Sequence, residues 1–349
     1  MREPPWLNDP QSLVVIDWSW WCNKAFFVSG VEGMMANLIG WLTSVLAYDP
    51  AHLAIAIDAR GETDRHRFVH PSDPDWKYKA GRDPKPGDFY TVMDRATEIA
   101  ELHSIPVLWA DYKEADDIMA TVATRARAAG YRVWLCTDDK DMAALCEESD
   151  EAGILCGMWD NFDDTYRGPE DIIEKFGVSP SQIADFLAIC GDIADNIPGV
   201  PGLGKESAAD LLRTFKTLER ALSAPPVPDD AIEAVEAQVK ELAKIAKKHE
   251  DPKERERAAA HRVAVMHGRS VARLHRKLVA HTDVARFSRS LTALDYDVPL
   301  DIPWNDLPIG DYKVSDLRAK YMAMGYTRKA NDVPSFRKRE AWVIPHEER

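Results

Sequence analysis

Ser12–Asp17 reads SLVVID, a β-branched and aliphatic run that stops on an acid, and His52–Asp58, HLAIAID, repeats the pattern. Two more short apolar runs follow, IPVLW at Ile105–Trp109 and YRVWLCT at Tyr131–Thr137. Such runs, bounded by polar turns, predict buried strands. Between them apolar residues recur at helical spacing over Gly33–Ala47, Asp88–Leu102 and Ala115–Ala129. Strand–helix alternation predicts an α/β fold with a parallel sheet, and such sheets bind ligands at the carboxyl ends of their strands.

Residues 60–87 break the rhythm with a polar, Pro-rich and basic stretch too long for an ordinary connection. Beyond about residue 178 the pattern is mostly helical. It contains a Gly/Pro-rich turn, NIPGVPGLGKES, and then a long basic helical segment. These shifts predict an α/β core over 1–178 and a helical region over 179–349, with no internal repeat.

The chain has 349 residues and a net charge of −14, and 45% of it is apolar, which suits one or two globular cores. No apolar run approaches the roughly 18 residues of a membrane span. The N-terminus, MREPPWLNDPQS, lacks the apolar centre of a signal peptide. Cysteines at 22, 136, 146, 156 and 190 are odd in number and show no CxxC spacing. A disulfide framework and structural zinc are thus disfavoured, and a reducing cytoplasm is expected. The acidic balance conceals an asymmetry. Lys240–Lys277 holds twelve Lys or Arg against five Asp or Glu, a local +7 that leaves −21 elsewhere. One region is suited to a polyanion while another concentrates carboxylates.

Those carboxylates fall where strands end. Asp17 closes the first strand and Asp58 the second; Glu114, Asp116 and Asp117 open the helix after the third; Asp139 and Asp141 follow the fourth. Asp192 and Asp195 stand beside the glycine turn. Crowded carboxylates repel one another, and some are forced to keep a proton unless cations neutralise them. An all-oxygen set without His or Cys suits Mg²⁺ or Mn²⁺. Two such ions about 4 Å apart serve phosphodiester cleavage. Helix capping is the alternative for any one of these acids, but capping needs one acid per helix, not EADD and DDKD.

Gly199, Gly202 and Gly204 precede Lys205 and Ser207 at a helix start. Glycines there let backbone amides approach a phosphate, which suits sequence-independent DNA binding; a plain tight turn is the other reading. The Walker spacing GxxxxGK[ST] is absent. In the long loop Trp76, Lys77, Tyr78, Lys79 and Arg82 mix rings with cations, as single-strand contact or a solvated loop would. The tryptophans at 18, 20, 21 and 41 read as core.

The stretch ADFLAICGDIADNIPGVPGLGKESAADLL closely resembles the helix–hairpin–helix region of 5′-nucleases. This family includes the 5′→3′ exonuclease domain of bacterial DNA polymerase I, stand-alone phage exonucleases and flap endonucleases. VIDWSWWCNKAF, IDARG, YKAGR, EADDIMATVA and TDDKDMAAL resemble its other blocks in the same order, over about residues 12–222. The resemblance implies a nuclease core with a helical arch at about 60–87. It implies one cation among Asp17, Asp58, Glu114, Asp116, Asp139 and Asp141, and a second completed by Asp117, Asp192 and Asp195. Lys79 and Arg82 take the place of the family's arch cations, Lys24 stands where the family usually has Arg, and Gly199–Lys205 would hold duplex DNA, often with K⁺. Trp18, Lys24 and Asp138 depart from the family pattern without removing an implied metal ligand.

The expectation is therefore a monomeric, metal-dependent 5′→3′ exonuclease or flap endonuclease. It acts on DNA with a 5′ end, flap or branch, beside a replicative polymerase and away from membranes. The alternatives are a DNA-binding replication factor of the same fold with weak catalysis, and an RNase with a related acidic site. A haloacid-dehalogenase-type phosphatase is disfavoured because the first acid begins DWS rather than DxDx[TV].

Overall fold

The structure, a computed structural model, describes residues 5–149, 151, 153–248, 251–300 and 314–323. In chain order the elements are β1 (Ser12–Asp17), α1 (Trp18–Ala47), β2 (His52–Ala56), α2 (Gly87–Leu102), β3 (Val107–Leu108), α3 (Ala115–Ala128) and β4 (Arg132–Cys136). Then come β5 (Glu147–Ser149), β6 (Gly153–Asp160), β7 (Thr165–Arg167), α4 (Pro169–Phe176), α5 (Ile183–Cys190), α6 (Lys205–Phe215) and α7 (Leu218–Ser223). The chain continues through α8 (Asp229–Lys248), α9 (Pro252–Ala280), α10 (Thr282–Thr292) and α11 (Val314–Ala323). Two compact units result: Met1–Arg67 with Asp83–Ile172 and Leu294–Arg349, and Phe68–Arg82 with Ile173–Ala293. The end of the expected 179–349 region, at 301–313 and 324–349, lies outside the described residues.

The first unit is built on one sheet with strand order β3-β2-β1-β4-β6-β5, and β7 also pairs with β6. Strand β1 lies between β2 and β4, parallel to both, with Ile16 opposite Ile55 and Cys136. Buried on both faces, it has every residue in the interior, which accounts for its unbroken apolar run. The short turns around β6 allow only antiparallel pairing for β5 and β7, so the expected parallel sheet is a mixed one. Chain order reverses between β1 and β4, which creates a switch point at the carboxyl edge.

Helix α1 begins fifteen residues before the expected Gly33, because Asp17 caps it: its Oδ1 accepts the Trp20 N–H at 2.8 Å. Gly30 breaks the helix with φ +63°. Contrary to the sequence reading, this helix is long and apolar enough for a membrane span. Its inward face nevertheless packs into the core through Trp18, Trp21, Ala25, Leu38, Leu42 and Leu46, the behaviour of a core helix. The expected arch also differs. Residues 60–86 contain one 3₁₀ turn, Asp64–Arg67, and no α-helix, since prolines at 71, 74, 84 and 86 remove donors and fix the backbone.

In the second unit α5 and α6 flank the glycine turn, and α10 packs on α5. Thr292 Oγ1 donates to Ala184 O at 2.8 Å and Arg289 Nε to Asp185 Oδ1 at 2.6 Å. Helices α8 and α9 pack along each other.

Candidate active site

The in-register strands β1, β2 and β4 deliver their acids to one sheet edge. Each carboxylate is fixed by a hydrogen bond from backbone or hydroxyl. Asp17 Oδ1 holds the start of α1, and its Oδ2 accepts from Thr137 Oγ1 at 3.2 Å across the switch point. Asp58 Oδ1 accepts the Ala115 N–H at 2.7 Å and so caps α3, a helix 57 residues away in sequence. Asp139 Oδ1 accepts the Asp141 N–H at 3.1 Å at the start of the 3₁₀ turn Lys140–Leu145. Capping and site placement are thus carried by the same side chains.

Electrostatics identify who faces whom. Burial, then the Asp58 and Asp139 charges, raise the Asp17 carboxyl to about 8 despite the opposing hydrogen bonds. Asp116 is raised well above the usual range by lost hydration and by Asp139, Asp17, Asp141 and Glu114. The same field, after burial, pushes up the Cys22 thiol. Six carboxylates therefore share one region of the first unit: Asp17, Asp58, Glu114, Asp116, Asp139 and Asp141. Among the described residues no group of three or more His, Cys, Asp or Glu side chains is arranged as a preformed metal shell, so the acids meet as charges rather than as a closed cage. Buried mutual repulsion in an all-oxygen set is relieved by hard divalent cations, and the donor chemistry fits them.

Asp117 is placed differently. Arg65 grips it with both arms, Nη1–Oδ2 at 2.7 Å and Nη2–Oδ1 at 2.8 Å, while the Asp295 N–H donates to Oδ1 at 2.9 Å. Glu114 accepts from Thr63 Oγ1 at 2.9 Å and lies 3.4 Å from Arg65. Sequence reasoning missed Arg65, which sits in a polar loop with nothing local to mark it. It also missed Asp160, the buried acid that ends β6 beside β4; GILCGMWD carries the strand-then-acid signal of SLVVID. Lys24 lies over the rings of Trp20 and Phe162, 5.6 and 5.1 Å from their centroids.

Asp192 and Asp195 belong to the second unit. Asp192 and Ile197 exchange backbone hydrogen bonds of 2.9 and 2.7 Å across the turn, and Asp192 Oδ1 accepts the Ala194 N–H at 3.0 Å. Asp195 pairs with Arg82, accepts from the Tyr78 hydroxyl at 3.0 Å, and receives the Lys79 N–H on its carbonyl at 3.0 Å. Burial works to raise its carboxyl, but the Lys79 and Arg82 charges and the two side-chain hydrogen bonds outweigh that and hold it below the ordinary value. Trp76 Nε1 donates to Asn196 O at 2.8 Å, so residues 76–82 are docked on the 192–197 turn. The Lys79 ammonium lies 4.9 Å from the Tyr78 ring centroid.

The glycine turn needs its glycines. Gly199, at φ +61°, packs backbone to backbone on Gly191: a Cβ there would lie 2.3 Å from Gly191 N. Gly202, also left-handed at φ +74°, and Gly204 are exposed, as is Lys205, which opens α6; Ser207, two residues on, is half-buried.

Residues 12–177 match the model of the 5′-3′ exonuclease N-terminal resolvase-like domain, and residues 178–315 that of the 5′-3′ exonuclease C-terminal SAM fold. The DNA polymerase I of Bacillus caldotenax is 32% identical over 249 residues, 68% of this chain and 27% of that protein. The chain thus spans about a quarter of the length of the curated relatives it matches. The 5′-exonuclease of T5 with bound zinc shares the fold at TM-score 0.53 and 17% identity, covering 80% of this chain and 98% of that one. A bacteriophage T5 flap endonuclease complex with DNA and metal ions does so at 0.52 and 16%, covering 80% and 97%. The two family models adjoin over residues 12–315, and the chain belongs to the 5′-3′ exonuclease family.

Proposed function

We propose that this chain hydrolyses DNA phosphodiester bonds at 5′ ends and flaps, with divalent cations held by Asp17, Asp58, Glu114, Asp116, Asp139 and Asp141. The observation that carries this reading is the gathering of carboxylates at one sheet edge, held there by Trp20 N–H, Ala115 N–H and Asp141 N–H, where burial first and acidic neighbours next raise Asp17 and Asp116. A protein keeps such repulsion where a cation repays it in function. When bound, Mg²⁺ or Mn²⁺ would supply Lewis acidity toward water and the phosphodiester. The chain's own part is to fix the acids through Trp20 N, Ala115 N and Asp141 N, so that little reorganisation accompanies the reaction. Lys79 and Arg82, ordered by Asp195 and Tyr78, are the cations for the scissile phosphate, and the Gly199–Lys205 turn is the duplex anchor. Asp117 is an outer acid of this edge, held by Arg65, while Asp192 and Asp195 belong to the 192–197 turn of the second unit. A polymerase working at the same nick is the partner this reading implies, and the phage complex with DNA and metal ions supports the substrate class.

A single 5′-labelled flap DNA tests the proposal when incubated with Mg²⁺, Mn²⁺ or EDTA. Metal-dependent release of mononucleotides reports exonuclease action, and release of the intact flap reports endonuclease action. No cleavage in either metal overturns the reading, and cleavage of an RNA flap in preference to DNA replaces the substrate.

A further inference from the structure

We propose that one face of α9 is a second DNA-binding surface, a track for the phosphate backbone of duplex DNA that extends the glycine turn. The inference rests on the nuclease reading only for the identity of the polyanion.

Charge sequence is the first observation. From Arg257 to His281 the chain has no Asp or Glu, although the protein carries 58 of them, and six of those residues are Arg or Lys. An ordinary solvated helix interleaves its signs, whereas here Arg257 pairs back to Glu254 and no acid follows in the sequence until after His281. Positions 255, 262, 269, 273 and 277 are all basic, and steps of seven and four residues put them on one side of an α-helix. Of these positions Arg255, Arg273 and Lys277 are exposed, while Val271, His275 and Leu278 on the opposite side are buried. At 1.5 Å per residue the row runs roughly 33 Å. About ten base pairs of B-DNA have that length.

Position is the second, independent observation. The track ends on the glycine turn: Lys277 Nζ lies 3.5 Å from Gly202 O, and a Cβ added at Gly202 would meet Nζ at 2.8 Å. His275 fixes this end of α9 by its ring, whose Nε2 is 2.6 Å from Ala221 O, and by stacking on Phe215 of α6. The helix that follows the turn and the helix that carries the cations are therefore one packed body. A duplex seated on the turn has the row beside it.

The test is the salt dependence of binding to a 30-base-pair duplex closed by a loop at each end, in EDTA. This probe has no 5′ end and EDTA removes divalent cations, so cleavage plays no part. Wild type is compared with Arg255→Gln/Arg273→Gln. Each lost phosphate contact lowers the slope of log K against log salt by about 0.9, so the double variant should lose about 1.8. Over a fourfold rise in salt its affinity should then fall roughly tenfold less than that of wild type. Circular dichroism and an unchanged urea midpoint establish that the variant is folded. An unaltered slope overturns the proposal, as does weaker binding at the same slope, since that contact would not be ionic. If wild type binds with the steep slope yet never cleaves a flap, the nuclease reading falls and the track remains.

Discussion

Arg65 and Asp117 form a closed fork, two N–H···O bonds of 2.7 and 2.8 Å between side chains that are 8% and 6% exposed. One partner comes from the loop after β2 and the other from the first turn of α3. Removing one member of a buried pair strands the other charge without its counter-ion. Arg65→Leu should therefore lower stability by about 3–5 kcal/mol, read as a shift in the urea midpoint. Asp117→Leu on top of it should restore part of that loss. A change below about 1 kcal/mol in the single variant would show that water reaches the fork.

The capping bonds dictate how the acidic edge should be probed. Asp58→Asn and Asp139→Asn keep an oxygen for Ala115 N–H and Asp141 N–H while removing a negative charge. Both should abolish cleavage, leave duplex binding equal or tighter, and leave the thermal midpoint equal or higher. Asp58→Ala should lose the cap as well, at a cost of about 1 kcal/mol. Near-normal turnover of both Asn variants at saturating Mg²⁺ would remove these acids from the chemistry.

Lys79 has its own signature. A cation on the scissile phosphate meets charge that grows toward the transition state, so Lys79→Ala should reduce the single-turnover rate by 100-fold or more, on the order of 3 kcal/mol, with little change in affinity. A loss confined to affinity would make Lys79 a tether.

His103 supplies a pH dependence away from the edge. It is fully buried, its Nε2 3.1 Å from the Tyr321 hydroxyl, and burial pushes its imidazole down to about 4. In the unfolded chain the ring titrates near 6.5, so between these values only the unfolded state takes up the proton. Its contribution is complete above pH 6.5 and is lost as pH falls toward 4, by at most about 3 kcal/mol. Thermal midpoints at pH 7, 5.5 and 4.5 should show this slope, and His103→Gln should flatten it.

How far the sequence carried these conclusions depended on the range of the signal. SLVVID and YRVWLCT matched β1 and β4 because a central strand declares itself by composition alone. IPVLW yielded only Val107–Leu108, since an edge strand keeps few ladder bonds. The first half of α1 escaped because WSWWCNKAFF is aromatic all round and masks the 3.6-residue period, while the start signal was one Asp. The six crowded acids were legible because each ends a strand or opens a helix. The Arg65–Asp117 fork was not, for it spans 52 residues and joins a loop to a helix. Residues 76–82 were read correctly as basic and aromatic, but their docking on the 192–197 turn depends on contacts about 120 residues apart.

The contact between Gly191 and Gly199 has a genetic consequence. A Cβ at Gly199 would meet Gly191 N and Cα at 2.3 and 2.6 Å, and one at Gly191 would meet Ile197 O and Pro198 O at 2.9 Å. Every obstructing atom is main chain, so no side chain elsewhere can be shortened to make room. A damaging allele at either codon should therefore have no intragenic suppressors that act by repacking. Selection for revertants should return glycine at the same codon, again and again, in contrast to lesions in the aliphatic core, which neighbouring side chains can accommodate.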